Sequence, residues 1–112
     1  VLLITGDGAF GYGAMEYDTA MRYGIKFTTI ILNDSCWGMI KRSEAQRATE
    51  DKPFVGLFLR DVRYDQVVEA LGGYGEYVTE AAEIGAAIDR AIASDKPAVV
   101  NVMTDVNCGP NR

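Results

Sequence analysis

A carboxylate between two glycines, Gly6-Asp7-Gly8, follows an apolar run, and a second acidic group, Asn33-Asp34, follows the next apolar run. Glycines between a strand and a helix let backbone N–H groups and the positive helix terminus converge on an anion, and phosphate is the expected anion. Asp7 would repel that phosphate unless a cation lies between the two groups. The motif therefore predicts a metal ion that bridges Asp7 and a phosphate.

The Asn33-Asp34 pair is a source of further oxygen ligands, which a hard divalent cation requires. Consecutive strands of a βαβ unit usually lie side by side, and the carboxyl ends of parallel strands form ligand sites. We therefore expect Asp7 and this pair to share one ion. The sequence leaves open whether Asn33 or Asp34 provides the side-chain ligand.

The elements that position these residues alternate between strand and helix in the first third of the chain. Residues 1–5 form an unbroken apolar run, which suits a strand covered on both faces of a parallel sheet. The residues that recur at helical spacing after the glycines are Phe10, Ala14, Tyr17 and Met21. They predict one helix of about three turns that ends at Gly24, and residues 26–32 predict a second strand.

A second alternation occupies the other half of the chain. A short helix is predicted from Tyr64, Val67, Val68 and Leu71, with Gly72-Gly73 ending it, and residues 76–78 predict a strand. Thr79 is the expected N-cap of a further helix, whose buried stripe is predicted to be Ile84, Ile88, Ala91 and Ile92. Residues 98–103 predict the last strand, and residues 35–59 a variable connector in which 37–45 could begin a helix. These patterns predict the α/β class, a three-layer parallel sheet, with residues 1–112 as part of one domain of a larger subunit.

Composition excludes several classes of function. The chain has no histidine, which excludes a Ser-His or Cys-His nucleophile pair and a His-rich zinc site within it. A net charge of −5 without a basic cluster argues against a nucleic-acid or anionic-membrane surface, and no apolar run predicts a membrane span or signal peptide. Cys36 and Cys108 stand in no metal-ligand pattern, so we expect reduced thiols in the cytoplasm.

The two motifs together resemble a known signature. Gly6-Asp7-Gly8, then 24 residues, then Asn33-Asp34 is similar to the GDG…NN motif of thiamine diphosphate (ThDP) enzymes. The similarity to the acetolactate synthase and benzaldehyde lyase branch covers nearly the whole chain, through residues 15–20, 37–39, 63–65, 70–75 and 96–98. Asp34 replaces the usual second asparagine, which keeps an oxygen ligand but adds a negative charge.

This resemblance implies the C-terminal diphosphate-binding domain of a larger enzyme, with Mg²⁺ held by Asp7, Asp34 and the main-chain carbonyl group of Cys36. The implied cofactor-binding residues are Gly6, Asp7, Gly8, Ala9, Phe10, Asp34, Cys36, Trp37, Gly38, Met39 and Ile40. Backbone N–H groups of Ala9 and Phe10 would bind the phosphates, whereas Trp37, Met39 and Ile40 would approach the thiazolium ring and the substrate. No catalytic side chain is implied here, because the glutamate that activates the cofactor belongs to a pyrimidine-binding domain, normally reached across a subunit interface.

The implied parent reaction is acetolactate synthase-like decarboxylation or carboligation of a 2-oxo acid by a homo-oligomer, with this chain alone inactive. A 2-hydroxyacyl-CoA or benzaldehyde-type lyase of the same family is the first alternative. A noncatalytic ThDP-fold or dinucleotide-binding module is another, since Gly6-x-Gly8-x-x-Gly11 fits the dinucleotide fingerprint. Asp7 argues against a dinucleotide, whose pyrophosphate would lie against the glycine backbone with no metal to offset the carboxylate.

Overall fold

In the computed structural model, which describes residues 1–45 and 56–108, four strands form one parallel sheet. The strands are β1 (Leu2–Gly6), β2 (Thr28–Asn33), β3 (Tyr74–Val78) and β4 (Ala98–Met103). Their order across the sheet is β1-β2-β4-β3. The helices are α1 (Asp7–Phe10), α2 (Glu16–Tyr23), α3 (Gly38–Ala45), α4 (Tyr64–Ala70) and α5 (Ile84–Ala93), with a 3₁₀ turn at Ala81–Glu83.

Successive side chains of a strand point to opposite sides, so the sheet has two apolar faces. Helices pack on both of them. The layer between the sheet and α5 contains the buried residues Ile30, Val78, Ala87, Ala91, Ala98, Val100 and Val102. The layer beneath α1, α2 and α4 contains Phe10, Tyr17, Ile31, Val68 and Val99. The predicted three-layer α/β class is therefore confirmed. Within the described ranges, no helix is long and apolar enough to cross a membrane.

The single helix predicted after the glycine turn is wrong, because the structure divides it into α1 and α2. Gly11 and Gly13 lie at the break, where the chain makes tighter bonds from Tyr12 N to the Ala9 carbonyl and from Gly13 N to the Phe10 carbonyl. Glycine is a poor helix former, so the two residues end α1 although the apolar spacing continues. Gly24 ends α2 as predicted, with a left-handed φ of 64°.

Two further expectations are wrong at the periphery of the fold. β1 is not covered on both faces in the described chain, since its apolar side chains are half exposed or more. Thr79 does not cap α5, which follows the 3₁₀ turn and has no side-chain cap. On α5 itself Ile92 is 59% exposed and Ala87 is fully buried in the stripe instead. Ala87 packs in the layer between α5 and the sheet, where its small side chain allows a close approach.

The connector between β2 and α4 is partly described. Its first part contains α3, which confirms a helix within 37–45, whereas residues 46–55 lie outside the described residues. Its later part returns to the end of β2: Trp37 N donates to the Leu57 carbonyl at 2.8 Å, and Leu59 N donates to the Ser35 carbonyl at 2.7 Å. These bonds hold the segment after β2 against residues 57–59.

A buried polar network links α4 to the ends of β2 and β4. Asp65 is 3% exposed and accepts two short hydrogen bonds from Arg63, of 2.6 Å from Nη2 and 3.0 Å from Nε. Asn101 Nδ2 also donates to Asp65 Oδ1, at 3.2 Å. Burial by itself raises the pKa of Asp65, but the Arg63 and Asn101 donors outweigh it, so that the pKa is lowered. Asp65 is therefore charged and paired in the folded protein.

We predict that Asp65→Asn lowers the free energy of unfolding near pH 7 by about 1–2 kcal/mol, because the charge-assisted bonds from Arg63 are lost. The folded-state pKa lies below the unfolded one, so this stabilisation is complete above the unfolded pKa of about 4. It is lost as the pH falls through the folded pKa. Urea unfolding at pH 7 and pH 3 should show the difference between wild type and variant narrowing in acid.

The control for this prediction is Asp18→Asn, which removes an exposed ion pair with Arg22 on α2. It should change the free energy of unfolding by less than about 0.5 kcal/mol at either pH. An Asp65→Asn penalty of equal size at pH 7 and pH 3 would contradict the assignment of a paired, charged Asp65.

Candidate functional site

The two sequence motifs meet at the carboxyl edge of the sheet. β1 ends at Gly6 and β2 at Asn33, and Gly6 lies opposite Leu32 in the parallel pairing. Asp7 opens α1 directly after β1 and Asp34 follows β2. Strand pairing therefore brings both acidic groups to one edge, as the motif spacing predicted.

Asp7 and Asp34 converge on a single backbone N–H group. Asp7 Oδ2 and Asp34 Oδ1 each lie 3.2 Å from Cys36 N, which donates to both. The other oxygen of Asp7 accepts from Gly8 N at 2.8 Å. Two carboxylates thus share one neutral donor on the segment that also carries the Cys36 carbonyl group.

The electrostatics of the site reflect this crowding. Asp7 is only 2% exposed, and its burial, with the nearby charge of Asp34, raises its pKa although the Gly8 and Cys36 N–H groups act to lower it. The Cys36 thiol is also buried, and burial together with Asp34 raises its pKa. Both shifts have the same main cause, burial near a carboxylate, which disfavours negative charge at this edge of the sheet.

Asn33 and Asp34 have different surroundings. Asn33 is fully buried, and its Nδ2 donates to Asn101 Oδ1 at 3.0 Å and to the Val62 carbonyl at 3.3 Å. Its Oδ1 accepts from Ser35 N at 3.1 Å. Asp34 is half-buried and lines the cleft described below, whereas the Asn33 amide is already engaged in hydrogen bonds elsewhere.

Close packing around Trp37 fixes the two motif segments against each other. A Cβ atom on Gly8 would lie 2.9 Å from Trp37 Cε3, so the indole ring needs a glycine at this position. Tyr12 contacts the same indole, with ring centroids 5.6 Å apart. A Cβ atom on Gly38 would similarly lie 2.9 Å from Asp34 Oδ2. Glycine at both positions therefore permits the close approach of α1, Asp34 and the start of α3.

A cleft of about 800 Å³ opens at this edge. It is lined by Gly6, Asp7, Gly8, Ala9, Leu32, Asp34, Cys36, Trp37, Gly38, Met39, Ile40, Arg42, Thr104, Asp105 and Cys108. The predicted site residues are thus brought together, except that the Phe10 side chain lies in the core against Tyr17 and Tyr64.

Sequence reasoning missed part of the cleft wall. Thr104 and Asp105 follow β4, and β4 lies beside β2 in the sheet. The sequence did indicate that these residues follow the last predicted strand. Local spacing does not show which strand lies beside it in the sheet, so their place in the cleft could not be predicted. Arg42 also lines the cleft, and its Nη2 donates to the Cys108 carbonyl at 3.3 Å.

The donor set suits a hard cation only with main-chain help. In the described part of the chain, no group of three His, Cys, Asp or Glu side chains is placed to hold a metal ion. Asp7 and Asp34 supply carboxylate oxygens, and the remaining ligands of a six-coordinate ion would have to be carbonyl, phosphate or water oxygens. Such mixed coordination is typical of Mg²⁺ beside a phosphate.

Comparison with known proteins gives a consistent family. The model for the thiamine pyrophosphate enzyme, C-terminal TPP binding domain, matches residues 1–102; thiamine pyrophosphate is another name for ThDP. The chain is 45% identical over 105 residues to an acetolactate synthase large subunit of Mycobacterium tuberculosis, covering 94% of this chain and 19% of that protein. It is 36% identical over 109 residues to 2-hydroxyacyl-CoA lyase 2 of Caenorhabditis elegans, covering 92% and 17%.

A solved structure agrees with these relatives. The ThDP-dependent 4-hydroxybenzoylformate decarboxylase of Rhodococcus jostii superposes with a TM-score of 0.84 at 27% identity, covering 94% of this chain and 20% of that chain. The chain thus spans about a fifth of the length of the relatives that it matches. It belongs to the C-terminal TPP-binding domain family of the thiamine pyrophosphate enzymes.

Proposed function

We propose that this chain binds the diphosphate of ThDP through a Mg²⁺ ion held by Asp7, Asp34 and the Cys36 carbonyl group. The observation that carries the proposal is the shared donor: carboxylate oxygens of Asp7 and Asp34 both lie 3.2 Å from Cys36 N. A divalent cation between them relieves their repulsion and gives the diphosphate a positive partner.

The charges along the cleft support a cation that arrives with the diphosphate. Asp7, Asp34 and Asp105 line it against the single guanidinium of Arg42, among the lining residues that the structure describes. A diphosphate without a metal would enter an already negative cleft, whereas a Mg²⁺–diphosphate complex brings two positive charges with it. Affinity for the diphosphate is therefore expected to depend on the metal.

The remaining predicted contacts follow from the cleft wall. Ala9 lines it, and Phe10 anchors the end of α1 in the core, so the backbone N–H groups of this turn are held in place for the phosphates. Met39 is 82% exposed and Ile40 48% exposed, and with Trp37 they form an apolar wall suited to the thiazolium ring and the substrate. When bound, ThDP supplies the bond-breaking chemistry beside a carbonyl, while the protein supplies position and electrostatics.

The full-length protein, on this proposal, is an acetolactate synthase-like enzyme that decarboxylates or ligates 2-oxo acids. The 45% identity to an acetolactate synthase large subunit supports this choice. The 36% identity to a 2-hydroxyacyl-CoA lyase supports the alternative, a 2-hydroxyacyl-CoA or benzaldehyde-type lyase. Its proposed partners are the pyrimidine-binding domain of the same or a second subunit and further copies of the protein. A cytoplasmic location is also proposed, on the two free cysteines.

We predict that ThDP binds this site tightly only with Mg²⁺. Calorimetric titration of ThDP into the full-length protein should give at least tenfold weaker binding when Mg²⁺ is replaced by excess chelator. Without the metal, the diphosphate is repelled by the Asp7 and Asp34 carboxylates. Asp7→Ala and Asp34→Ala should each weaken the Mg²⁺-dependent binding, whereas Asp89→Ala, on the exposed side of α5, should not.

Equal ThDP affinity with and without the metal would contradict the metal bridge. The same titration with NAD in place of ThDP tests the dinucleotide alternative. Saturable NAD binding that survives chelator and weakens in Asp34→Ala would favour a dinucleotide-binding module, with Asp34 on the adenosine ribose.

We also predict that Gly8→Ala weakens Mg²⁺-ThDP binding about tenfold, the size typical of a lost supporting contact. The new methyl group would lie 2.9 Å from the rigid Trp37 indole and displace the segment that follows Asp34. Gly13→Ala is the matched control, because a Cβ there meets nothing within 4 Å. Equal affinities of the Gly8 and Gly13 variants would contradict this packing role.

The chain on its own is predicted to have no turnover with Mg²⁺-ThDP, because cofactor activation needs a glutamate that the family resemblance assigns to the pyrimidine-binding domain. A cleft that holds mainly the diphosphate end also leaves the reactive ring without orientation and water exclusion. Assays of pyruvate decarboxylation and acetolactate formation should detect activity in the full-length protein but not in the isolated chain. Activity of the isolated chain above free ThDP, abolished by Asp7→Ala, would show that an activating acid lies within it.

A further inference from the structure

The turn that carries Asp34 has a constrained backbone. Ser35 has a φ of +52°, in the left-handed region that residues with a Cβ rarely adopt. Its N–H donates to Asn33 Oδ1 at 3.1 Å, and its hydroxyl donates to Asp61 Oδ1 at 2.6 Å. Because Ser35 N belongs to the peptide that joins Asp34 to Ser35, the orientation of the Asn33 amide helps to set the position of Asp34.

The Asn33 amide is oriented in turn by Asn101. Asn33 Nδ2 donates to Asn101 Oδ1 at 3.0 Å, and both Nδ2 groups donate to the Val62 carbonyl at 3.3 Å. Both asparagines are fully buried, so water does not offer them alternative partners. A flip of either amide would place two acceptors or two donors against each other, at the cost of an unsatisfied buried group.

Asp65 and the Val62 carbonyl together select one orientation of the two amides, because both accept from an Nδ2 group. An ionised carboxylate only accepts hydrogen bonds, so Asn101 has to present Nδ2 to Asp65 Oδ1, 3.2 Å away, and Oδ1 to Asn33. Asn33 then presents Nδ2 to Asn101 and Oδ1 to Ser35 N. Arg63 keeps Asp65 ionised through its 2.6 Å ion pair and is itself held over the Tyr77 ring, 4.0 Å from its centroid.

We infer that Arg63, Asp65 and Asn101 are positioning residues for the metal ligand Asp34: they orient the Asn33 amide, and through it the turn that carries Asp34. The inference rests on the proposed function, since it concerns the metal that Asp34 is proposed to bind. It extends that function to residues outside the cleft, in α4, the segment before it and β4. The same bonds also stabilise the fold, so a test has to separate metal affinity from stability.

The chain offers a matched ion pair for this purpose. Arg90 and Glu76 form a similar two-atom contact, with distances of 2.6 and 2.8 Å, on α5 and β3. The side chain of Arg90 is 55% exposed and that of Arg63 45% exposed, so the two arginines have comparable solvation. Glu76 accepts from Tyr74 in its own strand, whereas Asp65 accepts from Asn101 and so connects to Asn33.

The experiment measures the dissociation constant for Mn²⁺, used in place of Mg²⁺, in the full-length protein at saturating ThDP. Electron paramagnetic resonance of free Mn²⁺ gives this constant, and the thermal midpoint without metal and ThDP gives stability. Arg63→Gln should raise the Mn²⁺ dissociation constant about tenfold, the lower end of the effects typical of such supporting partners. Arg90→Gln should change the Mn²⁺ dissociation constant less than twofold. It should lower the thermal midpoint by about as much as Arg63→Gln does.

A second pair of variants replaces the carboxylates. Asp65→Asn introduces an amide that can donate as well as accept, so Asn101 loses its acceptor-only partner and the Val62 carbonyl alone is left to orient the two amides. This variant should weaken Mn²⁺ binding at least as much as Arg63→Gln. Glu76→Gln makes the same change in the control pair and should leave the constant within twofold. Because Arg63 is partly exposed, its variant keeps the test decisive if Asp65→Asn unfolds.

Asp34→Ala, measured in the same experiment, tests the proposed metal site separately from the positioning inference. If Asp34→Ala leaves Mn²⁺ affinity unchanged, the proposed metal site is wrong and the inference is overturned with it. If Asp34→Ala weakens binding but the Arg63 and Asp65 variants match their Arg90 and Glu76 controls, only the positioning inference is overturned. The inference is supported if Arg63→Gln and Asp65→Asn weaken Mn²⁺ binding more than their controls do, while test and control variants lose the same amount of thermal midpoint.

Discussion

Two carboxylates share one N–H donor at the carboxyl edge of the sheet, and the remaining features of the site depend on that arrangement. Asp7 and Asp34 each place an oxygen 3.2 Å from Cys36 N, and Asp7 is almost completely buried. A single neutral donor offsets only part of the repulsion between two charges in a partly desolvated cleft. The arrangement therefore favours a cation between the carboxylates, and a cation there makes an acidic cleft suitable for a diphosphate.

The fold imposes this proximity from two directions. Parallel pairing of β1 with β2 brings the ends of both strands together. The Trp37 indole packs on Gly8 and so holds the segment after β2 against the segment after β1. On the other side, the buried amides of Asn33 and Asn101 connect the turn at Ser35 to the Asp65 carboxylate. Backbone pairing thus determines where the acidic groups lie, and side-chain hydrogen bonds determine how they are oriented.

The sequence predicted what local chemistry determines and missed what depends on strand order. Asp7 and the Asn33-Asp34 pair were predictable because a carboxylate in a phosphate-binding turn is informative by itself, and the α/β alternation is periodic, whereas Cys36 was implied only by the family resemblance. Asn101 was not identified, although a polar residue within the apolar run 98–103 was a signal; its partner Asn33 is 68 residues away and meets it only because β4 lies beside β2. The break between α1 and α2 was also missed, because the apolar spacing continues across the glycines that end α1, and so was the burial of Ala87 in place of Ile92.

The most direct test of the metal bridge is anomalous X-ray diffraction from crystals of the full-length protein grown with Mn²⁺ and ThDP. The proposed metal bridge predicts one strong manganese peak within bonding distance of the Asp7 and Asp34 carboxylate oxygens, the Cys36 carbonyl oxygen and the diphosphate of ThDP. A diphosphate bound against the Gly6–Gly8 backbone with no manganese peak between it and Asp7 would contradict the account.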